Sequence, residues 1–213
     1  MSAQPVPVQE PATPPSEPQP SPGDVTAEEV SAELLASLRS GDVAALTDLF
    51  RIFGKRIYNT CRRITGCDTD AEDATQEVFL RVLSQAGKFD GRSQFSTWLF
   101  RLTVNHTINL SRKSRKRRGV DLGQTELPPD EHPSPLESVI QREERQHLDQ
   151  ALQSLPADQR AIVVLREIEG MSYAEIAAVL DLAPGTVTSR LVRGRERLAQ
   201  MLRHRLDPPE QNS

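Results

Sequence analysis

Apolar residues recur at spacings of three and four through most of the chain. Val, Ile and Thr nowhere gather into alternating runs bounded by turn residues, so the pattern predicts helices and no strands. The first periodic segment opens at Thr26, where Thr26 and Glu29 have the spacing of a capping box, and runs through Val30, Leu34, Leu35 and Leu38 to a stop at Gly41. Asp42 is placed to cap a second, longer helix whose Leu46, Leu49, Phe50, Phe53, Ile57, Cys61 and Ile64 form one stripe ending at Gly66. A third helix is expected from about Asp70 to Gln85, then a Gly-punctuated loop from Gly87 to Phe95, then a fourth helix carrying Trp98, Leu99, Leu102, His106 and Leu110. These four helices form a first domain over residues 25–118.

Beyond it, residues 119–133 combine two Gly, three Pro and net negative charge, the composition of an extended linker. A second domain is expected over 134–205. Ser134, with Pro135 behind it and Glu137 three residues on, starts a helix whose Leu136, Val139, Ile140, Leu148 and Leu152 supply its buried stripe. Pro156 opens the next helix, with Ile162, Leu165 and Ile168 pointing inward and Gly170 closing it. Residues 1–24, rich in Pro, Gln, Ser and Glu, and residues 206–213 have too little to bury and read as disordered tails. The fold class is all α, two small helical domains joined by an extended linker, which suits a chain of 213 residues.

The end of the second domain carries the most specific pattern. Ser172 and Glu175 cap a short helix with Ile176, Ala177 and Leu180 on its inner face. A break at Asp181 to Pro184 follows, and a further helix faces Val187, Leu191 and Leu198 inward. A small Ala at position 177 lets two helices cross closely, so this is a helix-turn-helix. Its second helix presents Thr186, Thr188, Ser189, Arg190 and Arg193 outward, where hydroxyls and guanidinium groups reach base edges and phosphates in a major groove.

Charge changes the picture only through its distribution. The net charge of −4 argues against a nucleic-acid partner if spread evenly, but residues 111–118 hold six cations and no anion, and Thr186 to Arg205 has six arginines against the single acid Glu196. Residues 121–149 lean the other way, with eight acids against Arg142 and Arg145. Cys61 and Cys67 lack zinc or CxxC spacing, no phosphate loop or nucleophile elbow is present, and no catalytic dyad suggests itself; neither an enzyme nor a cofactor is expected. No segment approaches the ~20 apolar residues of a membrane span, and no secretory leader is visible, which places the protein in the cytoplasm without membrane insertion.

The pairing of LPADQRAIVVLREIEGMSYAEIAAVL with APGTVTSRLVRGRERL resembles the promoter −35-binding domain of extracytoplasmic-function (ECF) sigma factors, of the sigma-70 family. DAEDATQEVFLRVL is similar to that family's polymerase-docking helix, and FDGRSQFSTWLFRLTVNHTINLSRKSRKRR to its −10 reading and melting segment. The resemblance implies a promoter-specificity subunit whose partners are core RNA polymerase, promoter DNA and an anti-sigma factor. Asp73, Gln76, Glu77 and Leu80, on one helical face, would dock on polymerase. Phe89, Trp98, Arg101, Asn105, Arg112, Lys113, Arg115 and Lys116 would hold −10 DNA, Asn105 in a pocket for a base drawn out of the stack; Trp98 also reads as a core anchor. Thr186, Thr188, Ser189, Arg190 and Arg193 would read the −35 element. The rival reading is a LuxR-like helix-turn-helix regulator that binds DNA without polymerase, but such a protein normally carries a strand-containing sensory domain, which residues 25–118 lack. A module whose helices only sequester partners fits the two basic segments poorly.

Overall fold

The computed structural model describes residues 30–117 and 147–206, with side chains over 30–114 and 147–203; the expected tails, the linker, the capping box at Thr26 and the helix start at Ser134 lie outside the described residues. All regular structure among them is helical: α1 (Ala32–Arg39), α2 (Val43–Thr65), α3 (Asp68–Gln85), a 3₁₀ turn (Ala86–Lys88), α4 (Phe95–Arg117), α5 (residues 147–153), α6 (Ala157–Val163), a π-helical turn (Val164–Ile168), α7 (Tyr173–Leu180) and α8 (Pro184–Leu206).

The helix ends follow from local chemistry. Asp42 accepts from the Ala44 amide at 2.8 Å and caps α2. Gly66 closes the same helix in the left-handed region, φ 71°, with its N–H on the Arg62 carbonyl. Ser172 and Glu175 make both bonds of the expected capping box, 3.2 and 2.8 Å, at the start of α7. Between α7 and α8, Asp181 takes φ 54° and the Leu182 amide bonds back to the Ala177 carbonyl, turning the chain sharply before Pro184 begins α8.

Helices α2, α3 and α4 enclose Leu49, Phe53, Ile57, Ile64, Val78, Val82, Leu99 and Phe100, all buried. The stripe expected on α4 is displaced. Trp98, Leu102, His106 and Leu110 are only half-buried, and the centre of the buried face is Phe100, Thr103, Val104, Thr107 and Ile108. Two threonines can occupy a core because each hydroxyl donates within its own helix, Thr103 to the Leu99 carbonyl at 2.9 Å and Thr107 to the Thr103 carbonyl at 2.7 Å. Phe50, expected in the α2 stripe, is 51% exposed and lies edge-on to Phe79. Leu148 is likewise on the surface.

Ile168, expected inward, is exposed because the π-helical turn breaks the 3.6-residue phase. The Glu169 amide bonds to the Val164 carbonyl five residues back, so Val163, Val164 and Leu165 are buried consecutively and Ile168 rotates out. Where α8 crosses this region, a Cβ on Gly194 would come within 2.8 Å of Val163 Cγ2; only glycine permits the crossing.

The two domains do not lie apart. Helix α4 packs against α6 and α7, α2 against α6, and the buried residues of both halves form one continuous cluster. At the centre of the junction Arg160, 1% exposed, donates to the carbonyls of Ile64, Gln153 and Leu155 and to the Gln153 side-chain oxygen. Replacing Arg160 with Met should strand these buried acceptors and cost about 3 kcal/mol or more in urea unfolding. Arg195→Met, which breaks a half-exposed pair with Glu167, should cost less than about 1 kcal/mol. Equal costs would show that Arg160 is not the tie between the halves.

Candidate nucleic-acid and polymerase interface

On α3, Asp73, Gln76 and Leu80 are exposed and Glu77 is half-exposed, while Ala74, Val78 and Val82 on the opposite side are buried. The i, i+3, i+4, i+7 spacing therefore yields one continuous polar face with a single apolar side chain, Leu80, 61% exposed. Glu77 accepts from Arg81 Nε at 2.9 Å, and this bond holds its carboxyl below the ordinary value. Beneath it, burial pushes the His106 imidazole below the usual histidine value, and the nearby Arg81 adds to the shift.

The aromatic groups near the start of α4 are packed more tightly than expected. Phe89 is 6% exposed, its ring 5.5 Å from Phe95 and 5.6 Å from Trp98, with Phe95 and Trp98 5.3 Å apart. The Arg39 guanidinium holds the Phe89 carbonyl at 2.7 Å. Phe89, expected to contact DNA, thus has its ring packed against protein, where it fixes the loop and half-buried Trp98. Trp98, Arg101 and Asn105 stand at i, i+3 and i+7, and Arg101 and Asn105 are exposed. Asn109 and Arg112 continue that face one and two turns on. Asn109, which the sequence pattern did not single out, stands four residues beyond Asn105 on the same exposed side. Lys113 is exposed; the side chains of Arg115 and Lys116 lie outside the described ones.

In the helix-turn-helix, Val187 and Leu191 anchor α8, and Thr188, Ser189 and Arg193 are exposed, with Thr186 and Arg190 half-exposed. Thr188 and Ser189 donate to the carbonyls of Pro184 and Thr186, so their hydroxyl oxygens keep accepting capacity toward a ligand. Helix α8 begins at Pro184, and this exposed set occupies its first three turns, the part of a recognition helix that enters a groove. A cleft of about 330 Å³ between the two halves is lined by Asn105, Asn109 and Arg112 from α4 and by Leu182 and Arg190 from the helix-turn-helix. The structure thus brings Asn105 and Arg190 to one cleft, an arrangement with no signal in the sequence. Cys61 is buried with its sulfur 3.3 Å from Thr107 Oγ1, and burial raises its pKa, which keeps it a thiol.

A helical unit with an exposed polar face on α3 is packed against a helix-turn-helix whose second helix exposes hydroxyl and basic side chains, an arrangement suited to binding DNA. Residues 49–117 match the family model described as sigma-70 region 2, and residues 145–198 match that of sigma-70, region 4. ECF RNA polymerase sigma factor SigW of Bacillus subtilis is 32% identical over 180 residues, 79% of this chain and 95% of the relative. ECF RNA polymerase sigma-E factor of Escherichia coli is 36% identical over 171 residues, 76% and 89% of the two chains. Among solved structures, CnrH in complex with the cytosolic domain of CnrY aligns with TM-score 0.59 at 27% identity, covering 80% of this chain and 96% of the other. The sigma factor RpoE of Bartonella quintana, in complex with the anti-sigma factor NepR, aligns with TM-score 0.60 at 25% identity, covering 76% and 98%. The chain belongs to the ECF sigma factors of the sigma-70 family, and its function is to direct transcription initiation; nothing supports the LuxR-like alternative. No helix among the described residues is long and apolar enough to cross a membrane.

Because the folded pKa of His106 lies below its unfolded value of 6.5, the unfolded chain binds more protons and stability falls as pH drops through and below that value. His106→Gln should flatten the fall in urea midpoint between roughly pH 7 and pH 5. An unchanged pH dependence in the variant would mean that another group titrates.

Proposed function

We propose that the chain initiates transcription with a fixed division of labour. Asp73, Gln76, Glu77 and Leu80 on α3 dock on core RNA polymerase. Trp98, Arg101, Asn105, Arg112, Lys113, Arg115 and Lys116 along α4 hold the −10 element as it opens. Thr186, Thr188, Ser189, Arg190 and Arg193 on α8 read the −35 element. The observation that carries this reading is the separation of faces on α3, α4 and α8: the apolar side of each is buried, and the named polar residues described with side chains lie on the exposed or half-exposed side. Asparagine donates and accepts on a base edge, arginine grips guanine or phosphate, and a carboxylate with an adjacent amide and leucine suits a basic, partly apolar helix on the polymerase.

The protein is not itself an enzyme; polymerase supplies the chemistry, and the work of strand opening comes from binding. An anti-sigma factor is a further partner, by likeness to the solved RpoE of Bartonella quintana, seen in complex with the anti-sigma factor NepR. Work on the chromosome places it in the cytoplasm.

Asp73→Lys combined with Gln76→Ala should weaken core binding at least tenfold in a competition assay while leaving the helical circular dichroism and urea midpoint unchanged. Core affinity equal to wild type would remove α3 from the interface. For Asn105, drawing a base out of the stack costs a few kcal/mol that its pocket must offset. Asn105→Ala should therefore spare closed complexes, reduce permanganate-reactive thymines on duplex promoter, and be partly rescued on a template already mismatched across the −10 element. An equal defect on duplex and pre-melted templates would place Asn105 in the fold rather than the pocket.

A further inference from the structure

Helix α1 carries none of the residues assigned above to polymerase or DNA, yet it holds the segment that leads into the −10 face. Its last turn is fixed on both sides. Leu38 is fully buried in the core, and the chain then turns at Gly41, φ 82°, into the Asp42 cap of α2. Arg39 follows Leu38 directly and donates from Nη2 to the Phe89 carbonyl at 2.7 Å, across 50 positions of sequence. The Phe89 amide is tied as well, to the Ala86 carbonyl at 3.2 Å, and its ring packs against Phe95 and Trp98. Residues 90–94, just beyond, are exposed and bond to one another: the Asp90 carboxylate accepts from the Arg92 amide at 3.1 Å and pairs with Arg92 Nε at 3.2 Å. Among the described residues, the bond from Arg39 is the only hydrogen bond that reaches this loop from an element not next to it in the chain.

The core does not need that guanidinium, since Arg39 is exposed and Leu38, Phe89 and Phe95 bury apolar surface whatever holds the carbonyl. What the bond determines is where the backbone enters the loop, and so where the Phe89 ring stands against the Trp98 indole, 5.6 Å away. Trp98 opens the strip that continues through Arg101 and Asn105. We propose that Arg39 is a positioning residue for strand opening: by holding the Phe89 carbonyl it sets the Phe89 ring and, through it, the indole that flanks the unstacked base. This rests on the assignment of Trp98 and Asn105 to the −10 element. A base drawn out of the stack must be offset by the surface that receives it, and a surface already immobile loses less freedom when the base arrives. The charged donor makes this a stronger bond than a neutral amide would form in the same place. Lysine keeps the charge and a donor but not the planar fork, so it serves in part.

Trp98 is the only tryptophan in the chain, so its fluorescence in the free, full-length protein reports the position directly. Arg39→Ala should raise acrylamide quenching of that fluorescence roughly twofold as the indole is loosened. Arg39→Lys should recover half or more of the difference. With core polymerase on duplex promoter, Arg39→Ala should reduce permanganate-reactive thymines roughly fivefold, the effect of a misplaced reacting surface. Arg39→Lys should again fall between, and core affinity and urea midpoint should equal wild type in both. Quenching equal to wild type in Arg39→Ala overturns the positioning of Trp98, and unchanged thymine reactivity overturns its use in opening. A drop in urea midpoint or core affinity large enough to account for the lost thymines also overturns the proposal, by assigning Arg39 to the fold. Failure of the functional assignment would look different: the wild-type chain itself would give no run-off transcription with core, whatever the quenching shows.

Discussion

A guanidinium removed from water stands where the helices of both domains meet. Arg160 comes from α6, yet one of its partners is the Ile64 carbonyl in the last turn of α2, one of the acceptors that a helix end leaves without an amide. The negative end of the helix dipole favours a cation there, and the carbonyls of Gln153 and Leu155 hold the other side of the group. An arginine placed so is costly to bury alone and costly to strip of its acceptors, so it fixes the α5–α6 corner to α2 in one register. Gly66 belongs to the same arrangement. It turns the chain away with positive φ, and a Cβ there would collide with the Gln153 side chain, which instead reaches across to the Arg63 carbonyl.

Once that corner is set, α4 becomes a wall shared by both domains. It packs on α2 and α3 with one side and on α6 and α7 with another, and threonines with satisfied hydroxyls let it be buried over a wider arc than an ordinary amphipathic helix. What remains for solvent is a narrow polar strip through Arg101, Asn105, Asn109 and Arg112. A strip so placed is held rigidly, which suits selection of an unstacked base. It also lies at the domain junction, where Asn105, Asn109 and Arg112 face Leu182 and Arg190 across the cleft.

The sequence made much of the local structure legible. Capping side chains at Asp42 and Ser172, the glycine at 66 and the proline at 184 act within a few residues of themselves, and each sits where the pattern placed it. The shared face of α3 was legible for the same reason, since helical geometry alone decides that Asp73, Gln76, Glu77 and Leu80 lie on one side. The misses have a common cause. Phe89 read as an available aromatic and is enclosed by Phe95 and Trp98; Phe50 read as core and is exposed; Ile168 was assigned by a 3.6-residue period that the π-helical turn interrupts. Each depends on what a distant segment covers or on a change of helical phase, and periodicity records neither.

The amino-acid order by itself determined the helices, their caps, the helix-turn-helix and which residue types share a helical face, because these follow from contacts among near neighbours in the chain. Only the tertiary structure decided that the two domains share a core and that Asn105 meets Arg190 across one cleft. It alone decided that Asp158 and Glu169 engage arginines of the other domain. Those pairs are separated by up to 113 positions, and no local rule selects which carboxylate a given arginine will find. That choice is made by the packing of α4 and by the buried guanidinium of Arg160, which bring the partners within reach and leave them few alternatives.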